Sequence, residues 1–191
     1  MKVIGIVGSL RPKGNTEFAL GRALDRLASQ GFEVELIPLR GKTILPCLGC
    51  LGCREKGACV QEDDFAAVFE KVMAADGIIV GSPVYVSSAA PPLMALLDRV
   101  TYVARNTGKT LAGKIGAPIV VGRRAGHNFT FAQLLLWYFI SEMIIPGSSY
   151  WNVVMAGAAG ARDADKDEEG LRTIDRFVDN MATVLRKMAT R

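Results

Sequence analysis

The chain predicts an α/β protein: one domain over residues 1–191, built on an open, doubly wound sheet of five parallel strands. Three observations carry this. Short apolar runs alternate five times with stretches of helical period. One of those runs, Ile78-Ile79-Val80, is apolar without interruption, the pattern of a strand covered on both faces. Three of the strands run directly into loops of glycine and polar residues, which gathers chemistry at one edge of the sheet.

In order, Lys2 to Val7 is a short β-branched strand ended by Gly8. The loop Gly8-Ser9-Leu10-Arg11-Pro12-Lys13-Gly14-Asn15-Thr16 follows, then a helix in which Phe18, Leu20, Ala23, Leu24, Leu27 and Ala28 recur at helical spacing and Gly31 closes as C-cap. Glu33 to Leu39 alternates and reads as a second strand with one exposed face. After a cysteine-bearing segment, Asp63-Asp64 starts a helix with the stripe Phe65, Val68, Phe69 and Val72, carboxylates suiting the positive end of the helix dipole. The third strand, Ile78 to Gly81, enters the loop Ser82 to Ser88. A helix over about Pro91 to Val103 precedes the fourth strand, Ile115 to Val121, and the loop Gly122 to Asn128. Thr130 to Met143 is a strongly apolar helix, and Ile144 to Val154 contains the fifth strand, broken at Pro146-Gly147. Ala156 to Asp167, Gly/Ala-rich and then charged, is expected to be a mobile surface loop. Leu171, Ile174, Phe177, Val178, Met181, Val184, Leu185 and Met188 form a closing amphipathic helix. With no internal repeat and no linker, the expected strand order is flavodoxin-like.

Ligands of such sheets sit outside the carboxyl ends of the strands, where the polar loops after strands one, three and four all fall. The first loop lies between a strand and a helix, so backbone N–H groups and the positive helix end can face one anion. It is no Walker loop: five residues separate Gly8 from Gly14, and Asn15 stands where lysine belongs. Gly108-Lys109-Thr110 fails too, with Val103 in the upstream glycine position, and no dinucleotide fingerprint follows the first strand. Together the loops suit a flat ring with a phosphate tail, and a flavin monophosphate fits better than a nucleoside triphosphate. The plainer alternative is a strand-to-helix turn with Arg11 and Lys13 in solvent.

Every cysteine of the chain lies in thirteen residues, Cys47-x2-Cys50-x2-Cys53-x5-Cys59. Four thiols packed so tightly suit a four-coordinate thiolate site. Successive x2 spacings look more like the ferredoxin run than the paired knuckles of structural zinc. Zinc or another metal, and free or disulfide-linked thiols, remain the alternatives.

Composition bounds the rest. Half of the 191 residues are hydrophobic and 22% charged, ordinary for a globular domain. Lys2 leads into too short an apolar stretch for an export signal, and the apolar run Leu134 to Ile145, interrupted by Ser141 and Glu142, is too short to span a bilayer. The expected compartment is the cytoplasm, where clustered cysteines more often bind metal than form disulfides. A net charge of +4, spread along the chain, fits anionic small molecules or acidic proteins and does not indicate nucleic acid. His127 is the one histidine, which argues against a Ser/His/Asp hydrolase; it is expected to be a loop residue without a catalytic role.

These motifs resemble the flavodoxin-like NAD(P)H-dependent FMN reductase superfamily and, within it, the iron–sulfur flavoproteins of anaerobes. Gly8, Ser9, Arg11, Asn15 and Thr16 match its phosphate motif, Ser82-Pro83-Val84-Tyr85 its flavin loop, Leu96-Leu97-Asp98-Arg99 a typical helix end, and the four cysteines its compact cluster motif. Leu10 replaces the usual proline, and Met94 stands where many relatives have lysine. The resemblance implies tightly bound FMN, a [4Fe–4S] cluster on Cys47, Cys50, Cys53 and Cys59 close to a flavin near a subunit interface, and a homodimer or homotetramer. On this reading Ser9, Arg11, Asn15 and Thr16 bind the phosphate, and Pro83, Val84, Tyr85, Val86 and Ser87 line the isoalloxazine, with Tyr85 over one face. Gly122, Arg123, Arg124 and Asn128 complete the pocket, meet an anionic donor, or form a solvated basic turn. Trp137 and Trp151 are expected in core or subunit contacts. The expected activity is an oxidoreductase passing electrons between a low-potential donor such as a ferredoxin or NAD(P)H, the cluster and FMN. The rivals are an FMN or quinone reductase without a cluster, and a non-enzymatic redox carrier or sensor.

Overall fold

A computed structural model describes residues 1–157 and 162–190. Five strands, β1 (Lys2–Val7), β2 (Glu33–Pro38), β3 (Gly77–Pro83), β4 (Pro118–Gly122) and β5 (Val153–Met155), form one parallel sheet in the order β2-β1-β3-β4-β5. This is the flavodoxin-like order. The helices are α1 (Asn15–Ala28), α2 (Gly52–Lys56), α3 (Phe65–Ala74), α4 (Pro91–Asn106), α5 (His127–Ile140) and α6 (Glu168–Ala189).

The doubly apolar strands have a direct cause. Along β1, Ile4 and Ile6 pack with Val80, Val120, Leu93, Leu97, Leu134 and Tyr138 on the α3–α4–α5 side. Val3 and Val7, one step out of phase, pack with Ile79, Leu20, Leu24, Phe177 and Met181 on the α1–α6 side. Successive side chains of a strand point to opposite faces, so a sheet with helices on both sides needs an apolar residue at every position. Tyr138 shows how closely the layers mesh. Its buried hydroxyl accepts from the Val80 N–H (3.0 Å) and donates to the Ile78 carbonyl (3.1 Å), beside the point where β4 opens on Pro118, which has no N–H to give. Burial pushes that hydroxyl well above the usual tyrosine range.

Several expected boundaries move. The first helix ends at Ala28 with Ser29 as cap, and Gly31 takes its left-handed conformation (φ 88°) two residues later. Ile115 and Ile144 pair only as an isolated bridge, so β4 starts at Pro118, and β5 shrinks to three residues after the Pro146-Gly147 break. The Thr130–Met143 helix begins earlier, at His127. Within the stretch read as a mobile loop, residues 158–161 lie outside the described residues, while 164–166 form a 3-10 turn in which Ala164 is buried. No described helix is long and apolar enough to cross a membrane.

Candidate functional site

All the loops that carry chemistry leave the carboxyl ends of strands. The first is set by β1 and α1. Gly8 N–H donates to the Gly81 carbonyl (2.8 Å), and buried Ser9 accepts through Oγ from the Arg11 N–H (3.3 Å). Gly14 is the N-cap of α1 and has no side chain to offer, so the helix start at Asn15 and Thr16 opens on the cavity without a side-chain cap. Asn15 Oδ1 accepts from the N–H groups of Asp163 (3.0 Å) and Ala164 (3.1 Å), fastening the segment before α6 to this loop.

The second loop hangs from β3. Ser82 is fully buried; its Oγ accepts from Ala90 N–H (2.9 Å) and donates to the Pro83 carbonyl (2.8 Å). Gln133 on α5 accepts from Ala89 N–H (2.9 Å) and the Ser88 hydroxyl (3.2 Å). Tyr85 and Ser88 exchange both backbone bonds (2.8 and 3.0 Å), which leaves Val86 (φ 50°) and Ser87 (φ 60°) as a left-handed two-residue turn of the type I′ kind. Val86 is fully exposed, and a β-branched residue there is strained.

The third loop closes against the second at one glycine. A Cβ on Gly122 would lie 2.7 Å from His127 Nε2 and 2.9 Å from Val84 Cγ2, so no larger residue lets the two loops approach this closely. Together the loops wall a cavity of about 270 Å³ lined by Ser9, Arg11, Thr16, Val84, Tyr85 and Arg123 among others. Its described wall carries two arginines and no carboxylate. Hydroxyls, a guanidinium and an open helix start, in one cavity with Pro83, Val84 and Tyr85, suit a phosphate tail and a flat ring.

The cysteine segment leaves β2 and is closed at its neck. Thr43 and Asp64 bond twice, Thr43 N–H to Asp64 Oδ2 (2.7 Å) and Asp64 N–H to the Thr43 carbonyl (3.1 Å). Gln61 donates to the Pro46 carbonyl (3.1 Å). Between these lies a buried ion pair, Arg99 of α4 on Asp63, both side chains 1% exposed. The guanidinium also donates to the Leu45 carbonyl (3.1 Å) and to Cys59 Sγ (3.1 Å), and stacks 4.1 Å from the Phe65 ring. Asp63 accepts in addition from Leu45 N–H (2.8 Å) and Phe65 N–H (3.1 Å). Burial alone would push the Asp63 carboxyl up; the Arg99 fork and those two N–H groups outweigh it and hold it below the usual range.

Inside the neck, Gly49 (φ 64°), Leu51 (φ 59°) and Gly57 (φ 68°) turn the chain tightly, and α2 carries buried Cys53. A Cβ on Gly52 would meet Val60 Cγ1 at 2.7 Å. All four cysteines line one cavity of about 30 Å³ with Leu48, Arg99, Tyr102 and Asn106. They are free thiols, and among the described residues no three possible ligands close to the spacing of a single metal ion. A donor set of four sulfurs with no imidazole or carboxylate suits thiophilic metals, and a cluster that bonds each sulfur to a different iron tolerates a wider arrangement than one ion does.

The expected residues divide accordingly. Ser9, Arg11, Asn15, Thr16, Pro83, Val84, Tyr85, Gly122 and Arg123 share the first cavity, and the four cysteines share the second. Val86, Ser87, Arg124 and Asn128 are exposed and outside the cavity wall. His127 corrects its expected loop position: it opens α5, is 8% exposed, and its Nε2 has no hydrogen-bond partner among the described residues. Trp137 is a core residue, donating to the Leu97 carbonyl (3.1 Å) and Thr101 Oγ1 (2.9 Å), whereas Trp151 is half-exposed beside Tyr150. Ala156 and Gly157 line the first cavity and were missed; their position after a strand, at the same edge as the other loops, was the available signal. Asp63 and Arg99 were missed as a pair. An arginine within the apolar stripe Leu93, Leu96, Leu97, Val100 and Val103 was the signal there.

Sheet order, switch-point cavity and thiol loop define the class as a flavodoxin-like oxidoreductase with a cysteine insert. Among solved structures, the fold is similar to RosB with a bound riboflavin-phosphate intermediate (TM-score 0.78, 16% identity, 100% of this chain and 81% of that one) and to an archaeal flavodoxin (TM-score 0.64, 16% identity, 97% and 99%). The sequence pattern of the family described as NADPH-dependent FMN reductase matches residues 1–158. An iron–sulfur flavoprotein of Methanocaldococcus jannaschii is 37% identical over 193 aligned residues, covering 97% of this chain and 98% of that protein. One from Methanosarcina thermophila is 34% identical, covering 97% and 95%. The chain belongs to the NADPH-dependent FMN reductase family and, within it, to the iron–sulfur flavoproteins; it is a flavin oxidoreductase.

Proposed function

We propose that the protein binds FMN in the three-loop cavity and an iron–sulfur cluster, of the [4Fe–4S] kind, on Cys47, Cys50, Cys53 and Cys59, and that it passes electrons from a low-potential donor, a ferredoxin-like protein or NAD(P)H, between the two. One observation supports this reading: a single chain gathers its four cysteines around one cavity and the residues expected to meet phosphate and ring around another, and the two share no lining residue. When bound, a thiolate-held cluster moves one electron at a time and a flavin accepts two, so the pair converts between the two currencies.

The chain's own residues supply binding and orientation. Ser9, Thr16 and Arg11 hold the phosphate with the open start of α1. Pro83 to Tyr85 cover one face of the ring and keep water from it. Arg123, exposed at the cavity mouth, meets an anionic donor. No side chain need move a proton in a one-electron step. Because the two cavities are separate in one chain, a homodimer or homotetramer that sets one subunit's cysteine loop near another's flavin supports transfer. Exposed apolar side chains on α5 (Phe129, Leu136, Phe139, Ile140) and at the cysteine cavity (Leu48, Tyr102) offer the surface for it.

Anaerobically purified protein should show a broad shoulder beneath the flavin bands, with iron and acid-labile sulfide in the same sample. Cys50→Ala should lose the iron and keep the flavin. A clean flavin spectrum without iron would leave an FMN or quinone reductase with a metal-free or zinc-filled thiol loop. Normal iron content in the Cys50→Ala variant would sink the ligand assignment.

A further inference from the structure

Arg99 sits on the buried face of α4 with Leu96, Val100 and Val103, where a guanidinium must satisfy its donors locally. Each partner it finds belongs to the cysteine segment or its flank: the Leu45 carbonyl, the Asp63 carboxylate and Cys59 Sγ. The fork is fixed from several sides. Asp63 is itself held by the N–H groups of Leu45 and Phe65, and the Phe65 ring lies against the guanidinium. Closing the loop does not require Arg99 to reach sulfur, because the Thr43–Asp64 and Gln61–Pro46 bonds already join the two ends of the segment. Among the described residues, Cys59 is the one cysteine whose sulfur accepts a side-chain hydrogen bond. The other three thiols have no such partner, so the set is asymmetric.

From this we infer that Arg99 is a positioning residue of the thiolate site, fixing Cys59 and raising the reduction potential of the centre the four cysteines hold. The inference rests on the reading that this centre is an iron–sulfur cluster. One electron, delivered by a low-potential one-electron donor, adds negative charge to a thiolate-bound cluster, and no bond in the chain forms or breaks. A charge-assisted donor aimed at a ligand sulfur binds the more negative state better. Asp63 keeps the pair neutral overall, so the effect is directional and local to Cys59 rather than a general attraction of the site for anions.

The test is a redox titration of the full-length, cluster- and flavin-loaded protein with dithionite and low-potential mediators. The cluster is followed by electron paramagnetic resonance and the flavin by absorbance, in wild type, Arg99→Gln and Arg99→Lys. Arg99→Gln should make the cluster's one-electron reduction equilibrium about tenfold less favourable, about 59 mV more negative, and leave the flavin couple in place. Arg99→Lys, which keeps the charge but not the fork, should fall between the two. Full iron and sulfide with an unchanged cluster potential in both variants would overturn the inference, and so would equal shifts of cluster and flavin, which report a general structural effect. If Arg99→Gln fails to retain its cluster, Arg99→Lys decides: a cluster potential equal to wild type overturns the inference, and a shift confined to the cluster upholds it. Wild-type protein without iron and sulfide would instead overturn the cluster reading itself, before any Arg99 variant is made.

Discussion

The two cavities of this molecule are made in opposite ways. The three-loop cavity is assembled largely from backbone: strand ends, an uncapped helix start and a glycine where two loops close. The cysteine cavity is an insertion after β2 that the sheet does not shape, and it is held shut by the Thr43–Asp64 and Gln61–Pro46 bonds at its neck with the buried Arg99–Asp63 pair between them. A cavity of the first kind comes with the fold and can be retuned by surface substitutions. One of the second kind depends on a few buried groups, each of which matters more for stability than for binding.

That contrast makes its sharpest prediction at Asp63. Asp63→Ala leaves the Arg99 guanidinium buried and unpaired, which costs about 3–5 kcal/mol, read as a fall in urea-unfolding free energy. The pH dependence has a definite sign. Because the folded-state pKa of Asp63 is depressed, its contribution is fully present above the unfolded aspartate value and is lost as pH falls through the lower folded value. Acid should therefore destabilise wild type relative to Asp63→Ala, and equal acid sensitivity of the two proteins would contradict the pairing.

Next in size, Arg11→Ala at the backbone-built cavity should weaken FMN binding by about 1.5–3 kcal/mol, the worth of one hydrogen bond to a charged group, as measured by flavin fluorescence. Its thermal midpoint without flavin should not move, since Arg11 is exposed and no ion pair holds it among the described residues. A change in midpoint as large as that for Asp63→Ala would erase the distinction between the cavities. Smallest, Val86→Asn places a residue that tolerates left-handed backbone at an exposed turn position, and should stabilise the protein by about 1 kcal/mol. A destabilised Val86→Asn protein would mean that the left-handed turn carries no such strain.

The same contrast explains what the sequence disclosed. The β1 and β3 runs were readable because a strand buried on both faces must be apolar throughout, and the polar loops after β1, β3 and β4 fall at the edge that the strand order dictates. The end of the sheet was less legible. Ile144 and Ile145 look like strand residues, yet they are exposed, and only Val153 to Met155 pair with β4. Helix α2 has five residues, too few for a period to show. The clasp of Arg99 on Asp63 joins residues 36 apart in sequence, a pairing no local pattern announces. The cysteine spacing stood out because all four thiols fall within thirteen residues, whereas the groups that shape its surroundings did not.

The Asn15 carboxamide reaches Asp163 and Ala164, 148 and 149 positions further along the chain. During synthesis, the first loop therefore emerges from the ribosome long before the segment that fastens it. The nascent chain can pair β1 with β2 early, but this bracing is complete only after β5 has been made. The braced form of the first loop is thus a late product of synthesis, reached after β5 and at the threshold of α6.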